Sequence, residues 1–167
     1  MIHSFWVPQL GGKRDVIPGR ENLITLTADA PGEYWGQCAE FCGASHANMR
    51  LRVIVDPPEA FDAWLQAQRA PAVEPTGAAA QGKAIYARSA CVGCHTIRGV
   101  SAGTLGPDLT HFGSRSMLAA GLFPNSVEHV AAWLKDPPLL KPGAKMPRLG
   151  FTDEQARAVA IYLTSLK

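Results

Sequence analysis

The sequence predicts two small modules in series, a partial all-β unit followed by an all-α unit, and three observations lead there. The chain of 167 residues has room for one ordinary domain or for two small ones. A stretch reading APAVEPTGAAA, residues 70–80, has no periodicity and the composition of a linker. The apolar pattern repeats every second residue ahead of it and at helical spacing behind it. The composition, 47% apolar and 18% charged, excludes a disordered chain. No apolar run is long enough to span a bilayer, and Met1-Ile2-His3-Ser4 lacks the features of a signal peptide. A net charge of +2 excludes a strongly polyanion-binding domain on bulk charge, and no nucleic-acid partner is expected. Residues 1–70 carry a net −2 and residues 71–167 a net +4, values that a solvated surface explains.

In chain order, Asn22–Ala28 alternates and predicts a strand, with Ile24, Leu26 and Ala28 on one side. Arg50–Asp56 alternates more cleanly, with Leu51, Val53 and Val55 inward. Pro57-Pro58 ends that strand, and Glu59–Gln68 predicts a short helix whose Phe61, Trp64 and Leu65 would dock on the preceding module. After the linker, Gln81–Ala90 predicts a helix leading into a cysteine pair. Asn125–Asp136 predicts another, with Asn125 as N-cap and Pro137-Pro138 as the stop. The last helix opens on the capping box Thr152-Asp153-Glu154-Gln155 and presents Ala156, Val159, Ala160 and Leu163 for burial. The expected divisions are therefore residues 1–69, a linker over 70–80, and 81–167.

Four cysteines carry the chemistry. Two disulfides would satisfy them in an exported protein, but each pair has a histidine at fixed distance, and thiolate–imidazole sets suit transition metals. Cys91-Val92-Gly93-Cys94-His95 is the attachment pattern of a c-type haem. Two thiols one helical turn apart can add to the haem vinyl groups, and the next residue projects an imidazole at the iron. A thioredoxin-like dithiol would follow a strand in a βαβ unit, and no such unit is present. For the opposite axial position, Met146 lies in the proline-stiffened loop Lys141–Pro147, with Met117 as the rival. A Met/His pair raises the iron potential and leaves no open position, which suits electron transfer. His111 and Arg115 could reach a haem propionate, and His111 could compete as an axial ligand, although surface polarity accounts for them more simply; His129 is given no role.

The other set is Cys38, Cys42, His46 and Met49, with His3 upstream in His3-Ser4-Phe5-Trp6-Val7-Pro8. Two thiolates, imidazole and a thioether form a soft donor set that favours copper over magnesium or calcium. A Cys₂His₂ zinc site would want paired histidines close together.

From the second cysteine pair onward, the C-x-x-C-H run, Leu105-Gly106-Pro107-Asp108-Leu109, the Lys145-Met146-Pro147 loop and the final helix resemble a class I cytochrome c over residues 78–167. That resemblance implies that the Pro107 carbonyl holds the His95 ring. The first set, with its H-S-x-x-V-P strand, resembles the CuA domain of cytochrome c oxidase subunit II, a cupredoxin fold. It implies a dinuclear copper held by His3, Cys38, Cys42, His46, Met49 and the Glu40 carbonyl. The Glu40 side chain is offered to a magnesium ion at the interface with the catalytic subunit. Bridging by two thiolates spreads one electron over two coppers, which keeps reorganisation small.

Together the modules resemble subunit II of the cytochrome c-fused, caa-type haem–copper oxidases. The resemblance implies an electron-transfer subunit of an oxidoreductase, with no oxygen chemistry on this chain. It implies subunit I as partner, a cytochrome c or the cytochrome bc complex as donor, and a place on the periplasmic face of the bacterial cytoplasmic membrane. Family members carry two transmembrane helices and further strands before the His3 segment, so a truncated or split subunit is expected, joined to the membrane through those helices or partner subunits. Its copper site is then expected to depend on the upstream strands. Nitrous oxide reductase shares the copper site but not Glu40 or the fused haem module. The alternatives are a nitric oxide reductase subunit and a soluble electron shuttle; a copper carrier would have no haem.

Overall fold

A computed structural model describes residues 1–167. The first module is built from two antiparallel ribbons. β1 (His3–Phe5) pairs with β2 (Arg14–Val16), and β3 (Gly32–Gln37) pairs with β4 (Arg50–Val55) in the register Gly32↔Val55 to Gln37↔Arg50. Backbone bonds join the ribbons: Gln37 N–H donates to the Trp6 carbonyl at 3.0 Å, and Ala39 N–H donates to the Ser4 carbonyl at 3.0 Å. Gly36 lies where this crossing leaves no room for a side chain, because a β-carbon there would run into the Trp6 carbonyl. The strand expected over Asn22–Ala28 is absent, and Leu23 points into solvent. Alternation specifies a strand only when a neighbour supplies the ladder, and this segment has none.

α1 (Pro58–Arg69) follows the second ribbon. Its apolar residues do not dock on the preceding module as expected: Phe61 and Trp64 remain about half exposed. The helix is held instead by its C-terminus, on the other side of the linker. The Arg98 guanidinium donates to the Gln68 carbonyl at 2.5 Å and to the Arg69 carbonyl at 3.1 Å. His111 Nε2 lies 3.1 Å from the Ala70 carbonyl and accepts from Arg98 at 2.8 Å. A cation at a helix C-terminus meets unpaired carbonyls and the negative end of the dipole.

The second module is helical with two short ribbons, which amends the all-α expectation. Its elements are α2 (Gly77–Ala87), α3 (Cys91–Cys94), β5 (Thr96–Ile97), β6 (Ser101–Ala102), β7 (Met117–Leu118), β8 (Phe123–Pro124), α4 (Val127–Lys135), α5 (Pro137–Leu140) and α6 (Asp153–Ser165). α2 starts inside the segment expected as linker and ends before Ala90, so residues 70–76 alone connect the modules. The alanines that looked like spacer have the highest helix propensity, and Ala79, Gly82 and Tyr86 supply the buried face. At Gly82 the helix crosses α6 so closely that a β-carbon would run into the Ala158 carbonyl. α4 is capped by Ser126, whose hydroxyl accepts from His129 N–H, rather than by Asn125. The Asn125 amide instead ties down the Phe112 and Arg115 carbonyls. The capping box of α6 is present on both sides, and Tyr162 joins the four residues expected to be buried there. A continuous core runs from Tyr86 to Leu166.

The modules touch along β4 and the loop before it. Arg50 N–H donates to the Ala120 carbonyl at 3.2 Å, the Arg52 guanidinium to Ser116 Oγ, and Ser45 Oγ to the Pro142 carbonyl.

Candidate metal centres

The cysteine pair of the second module lies on the single turn of α3. Cys91 is buried and Cys94 half-buried, and both are free thiols. His95 leaves the helix in an extended conformation (φ −114°, ψ 142°), which carries its side chain off the helical path. The segment 101–107 then wraps the site. Gly106 N–H donates to the Cys94 carbonyl at 2.7 Å, and the Ser101 hydroxyl donates to the His95 carbonyl at 2.8 Å. A β-carbon at Gly106 would run into the His95 ring, so this approach requires glycine.

The tautomer of His95 follows from its partner. Nδ1 lies 2.8 Å from the Pro107 carbonyl, and a carbonyl only accepts. Nδ1 therefore carries the proton, and Nε2 keeps a lone pair for a metal.

A cavity of about 1000 Å³ opens over these residues, lined by Cys91, Cys94 and His95 and walled by Tyr86, Leu109, Phe112, Leu118, Val130 and Leu134. A large, flat, apolar cofactor bonded to two thiols fits such a space. Both methionines reach it. Met146 packs against the hydrophobic core, whereas Met117 does not. His111 is buried rather than at the surface, and its Nε2 accepts from Arg98. The Arg115 guanidinium donates to the Asp108 carbonyl at 2.6 Å and lies over the Phe112 ring. His129 stacks against Phe123. The Arg98–His111 grip on α1 escaped sequence reasoning, since neither residue belongs to a motif and their partners are backbone atoms.

In the first module the bonds between ribbons bring His3 beside Cys38, and the 38–49 loop supplies the rest. Cys38 N–H donates to the Met49 carbonyl at 2.9 Å and closes the loop at its base. Gly43, at φ +103°, turns the chain into one turn of 3₁₀ helix, His46–Asn48, which sets His46 and Met49 facing back. His3 Nδ1 lies 3.8 Å from Cys38 Sγ, while Cys42 Sγ lies 3.5 Å from His46 Nδ1 and 3.8 Å from Met49 Sδ. Cys38 Sγ is 3.1 Å from the Glu40 carbonyl. The donor atoms of His3, Cys38 and Cys42 all lie within 4.8 Å of one another. All six expected ligands thus converge, and the soft donors fit copper. The two thiols are unequal. Burial opposes ionisation of Cys38, but hydrogen bonds donated to it from the backbone at Glu40 and Ser4 and from Cys42 outweigh it and hold its pKa below the ordinary thiol value. Burial and the adjacent Cys38 push Cys42 up.

Comparison with known proteins agrees in both halves. Residues 1–56 match the family described as cytochrome c oxidase subunit II, periplasmic domain, and residues 79–167 match the cytochrome c family. Cytochrome c oxidase subunit 2 of Alkalihalophilus pseudofirmus is 42% identical over 169 residues, covering 100% of this chain and 49% of that protein. The protein of the same name from Bacillus sp. strain PS3 is 37% identical, covering 99% of this chain and 50% of that one. The chain therefore spans about half the length of the curated relatives it matches. The solved periplasmic domain of subunit II of a Bradyrhizobium japonicum cytochrome oxidase is 40% identical, over 39% of this chain and 47% of that one, at a TM-score of 0.38. No helix here is long and apolar enough to cross a membrane.

Proposed function

The chain belongs to the cytochrome c family through residues 79–167 and to the subunit II family of cytochrome c oxidase through residues 1–56, and from that premise we propose that it is the electron-transfer subunit of a haem–copper terminal oxidase. The observation that carries this reading is the meeting of the two ligand loops. Ser45, between Cys42 and His46, donates to the carbonyl of Pro142, on the loop that carries Met146.

Cys91 and Cys94 would bond the haem covalently, and His95 Nε2 and the Met146 sulfur would hold its iron. His3, Cys38, Cys42, His46, Met49 and the Glu40 carbonyl hold a dinuclear copper. When bound, the two groups supply one-electron carriers. The protein supplies rigidity: Pro107 fixes the His95 ring, and the Cys38–Met49 closure fixes the copper loop, so little has to move as charge arrives. Both donor sets are complete, which leaves no position for oxygen. The second module receives electrons from a donor such as a cytochrome c or the cytochrome bc complex, and the first delivers them to subunit I at the periplasmic face. Glu40, half-buried beside the ligands, offers its carboxylate to a magnesium ion shared with that subunit. Residues 1–69 form the cupredoxin-like unit and 77–167 the cytochrome c unit.

The test is to express the chain with haem-ligation machinery and copper, then follow both centres after rapid reduction of the haem. The expected result is a mass gain of one haem and, once the upstream strands are supplied, copper bound at Cys38 and Cys42 and haem reoxidation in step with copper reduction. An unmodified polypeptide, or a haem that stays reduced beside oxidised copper at a favourable poise, overturns the reading.

A further inference from the structure

The cavity over Cys91–His95 is not walled by the second module alone. Arg50, Leu51, Arg52 and Ile54 of β4 and Trp64 and Gln68 of α1 also line it. Its charged lining is one-sided: Arg50, Arg52, Arg115 and Lys145 face it, with no aspartate or glutamate among the lining residues. An apolar cavity with a wholly cationic rim suits an apolar ligand with an anionic edge, and the two carboxylates of a haem give it one. A carboxylate entering such a space needs a cation and hydrogen bonds, and guanidinium provides both in matching planar geometry.

Two of the four cations are committed elsewhere. Arg52 pairs with Glu33 at 2.6 Å and lies over the Trp35 ring, and Arg115 donates to the Asp108 carbonyl. Arg50 takes part in no ion pair and no side-chain hydrogen bond, while its backbone is fixed. Its N–H donates to the Ala120 carbonyl, and the chain at Gly121 runs against it in a left-handed conformation, φ +78°. A β-carbon at Gly121 would lie 3.3 Å from Arg50 Cβ. Lys145 is also unpaired, but it sits on the irregular loop before Met146.

We propose that Arg50, from the copper module, binds a haem carboxylate, so that the cofactor of one module is held partly by the residue adjoining the copper-ligand methionine of the other. The inference rests on the assignment of the two centres above. It makes Arg50 a positioning residue that turns the anionic edge of the haem toward the copper loop.

The test compares Arg50→Gln, Arg50→Lys and Lys145→Gln in the full chain loaded with covalent haem, reading the haem midpoint potential. A cation beside the haem disfavours the oxidised iron. Its loss in Arg50→Gln should lower the potential by the equivalent of about a tenfold change in the oxidised-to-reduced ratio, about 59 mV for one electron. Arg50→Lys should recover most of that loss, and Lys145→Gln should show less than half of it. An unchanged potential in Arg50→Gln, an Arg50→Lys as low as Arg50→Gln, or a larger fall in Lys145→Gln overturns the proposal. Covalent haem in all three variants would leave the assignment of the centres standing whichever way the potentials fall, whereas absence of covalent haem in the unsubstituted chain would defeat that assignment itself.

Discussion

The two modules position their proposed ligand residues by different means. Around Cys91–His95, α6 packs against both α2 and α4, and the segments between them join it in a continuous core of 14 buried residues. Around Cys38–Met49, the first 70 residues bury only Ser4, Val7, Leu10, Gly36 and Cys38. In the helical module, packing energy places the ligand residues, and α3 is a single turn whose Cys91 is part of that core. In the ribbon module, backbone hydrogen bonds place them: Ala39 to Ser4, Gln37 to Trp6, and Cys38 to Met49. The contrast separates a site stabilised from beneath by apolar burial from one stabilised sideways by a few ladder contacts.

That difference is open to attack by substitution. Leu163→Ala should show the largest effect, since Leu163 is buried in the helical core and truncations there cost about 2–5 kcal/mol. Leu10→Ala, buried in a turn of the first module, should cost less than half as much. Chemical denaturation monitored by far-UV circular dichroism would check both, and equal losses would erase the contrast.

Alkali should next separate the modules. Burial, with Tyr86 and Glu74 nearby, pushes the Tyr162 phenol up to about 12, against about 10 in an unfolded chain. The folded state therefore holds this proton more tightly. Its stabilisation is fully present below pH 10 and is lost as pH rises through 12, so helical signal should begin to fall in that window. Tyr162→Phe should move the onset to higher pH. The smallest effect should come from Thr152→Ala, which removes the capping box of α6 at a cost of about 1 kcal/mol. A melt of the second module measures it.

Legibility in the sequence followed the same division. The capping box at Thr152 and the buried face of α6 could be read directly, because local hydrogen bonding and helical periodicity decide them together. The residues of both proposed ligand sets could also be singled out, since metal chemistry favours those residue types at short spacing. The strand expected at Asn22–Ala28 failed because pairing is a property of two segments, and one sequence window contains only one. The start of α2 was hidden because alanine serves as well in a spacer as in a helix. Arg50 is equally silent in sequence. Nothing marks it apart from other surface arginines until β4 is seen against the cavity of a module that begins beyond the linker.

The grip of Arg98 and His111 on the end of α1 changes what the connection between modules does. In many tandem proteins a linker is a flexible tether, and its length sets the effective concentration of one unit at the other. Here the chain is fastened to the second module at Gln68 and Arg69, before the connecting segment 70–76 begins. Those residues close a small surface loop and do not span a gap. Doubling the length of such a loop costs only about 0.6 kcal/mol of closure entropy. The placing of one module on the other is thus shared by the Arg98 bonds to Gln68 and Arg69 and by the bonds from β4 and the loop before it, and the segment that looks most like a hinge has little control over it.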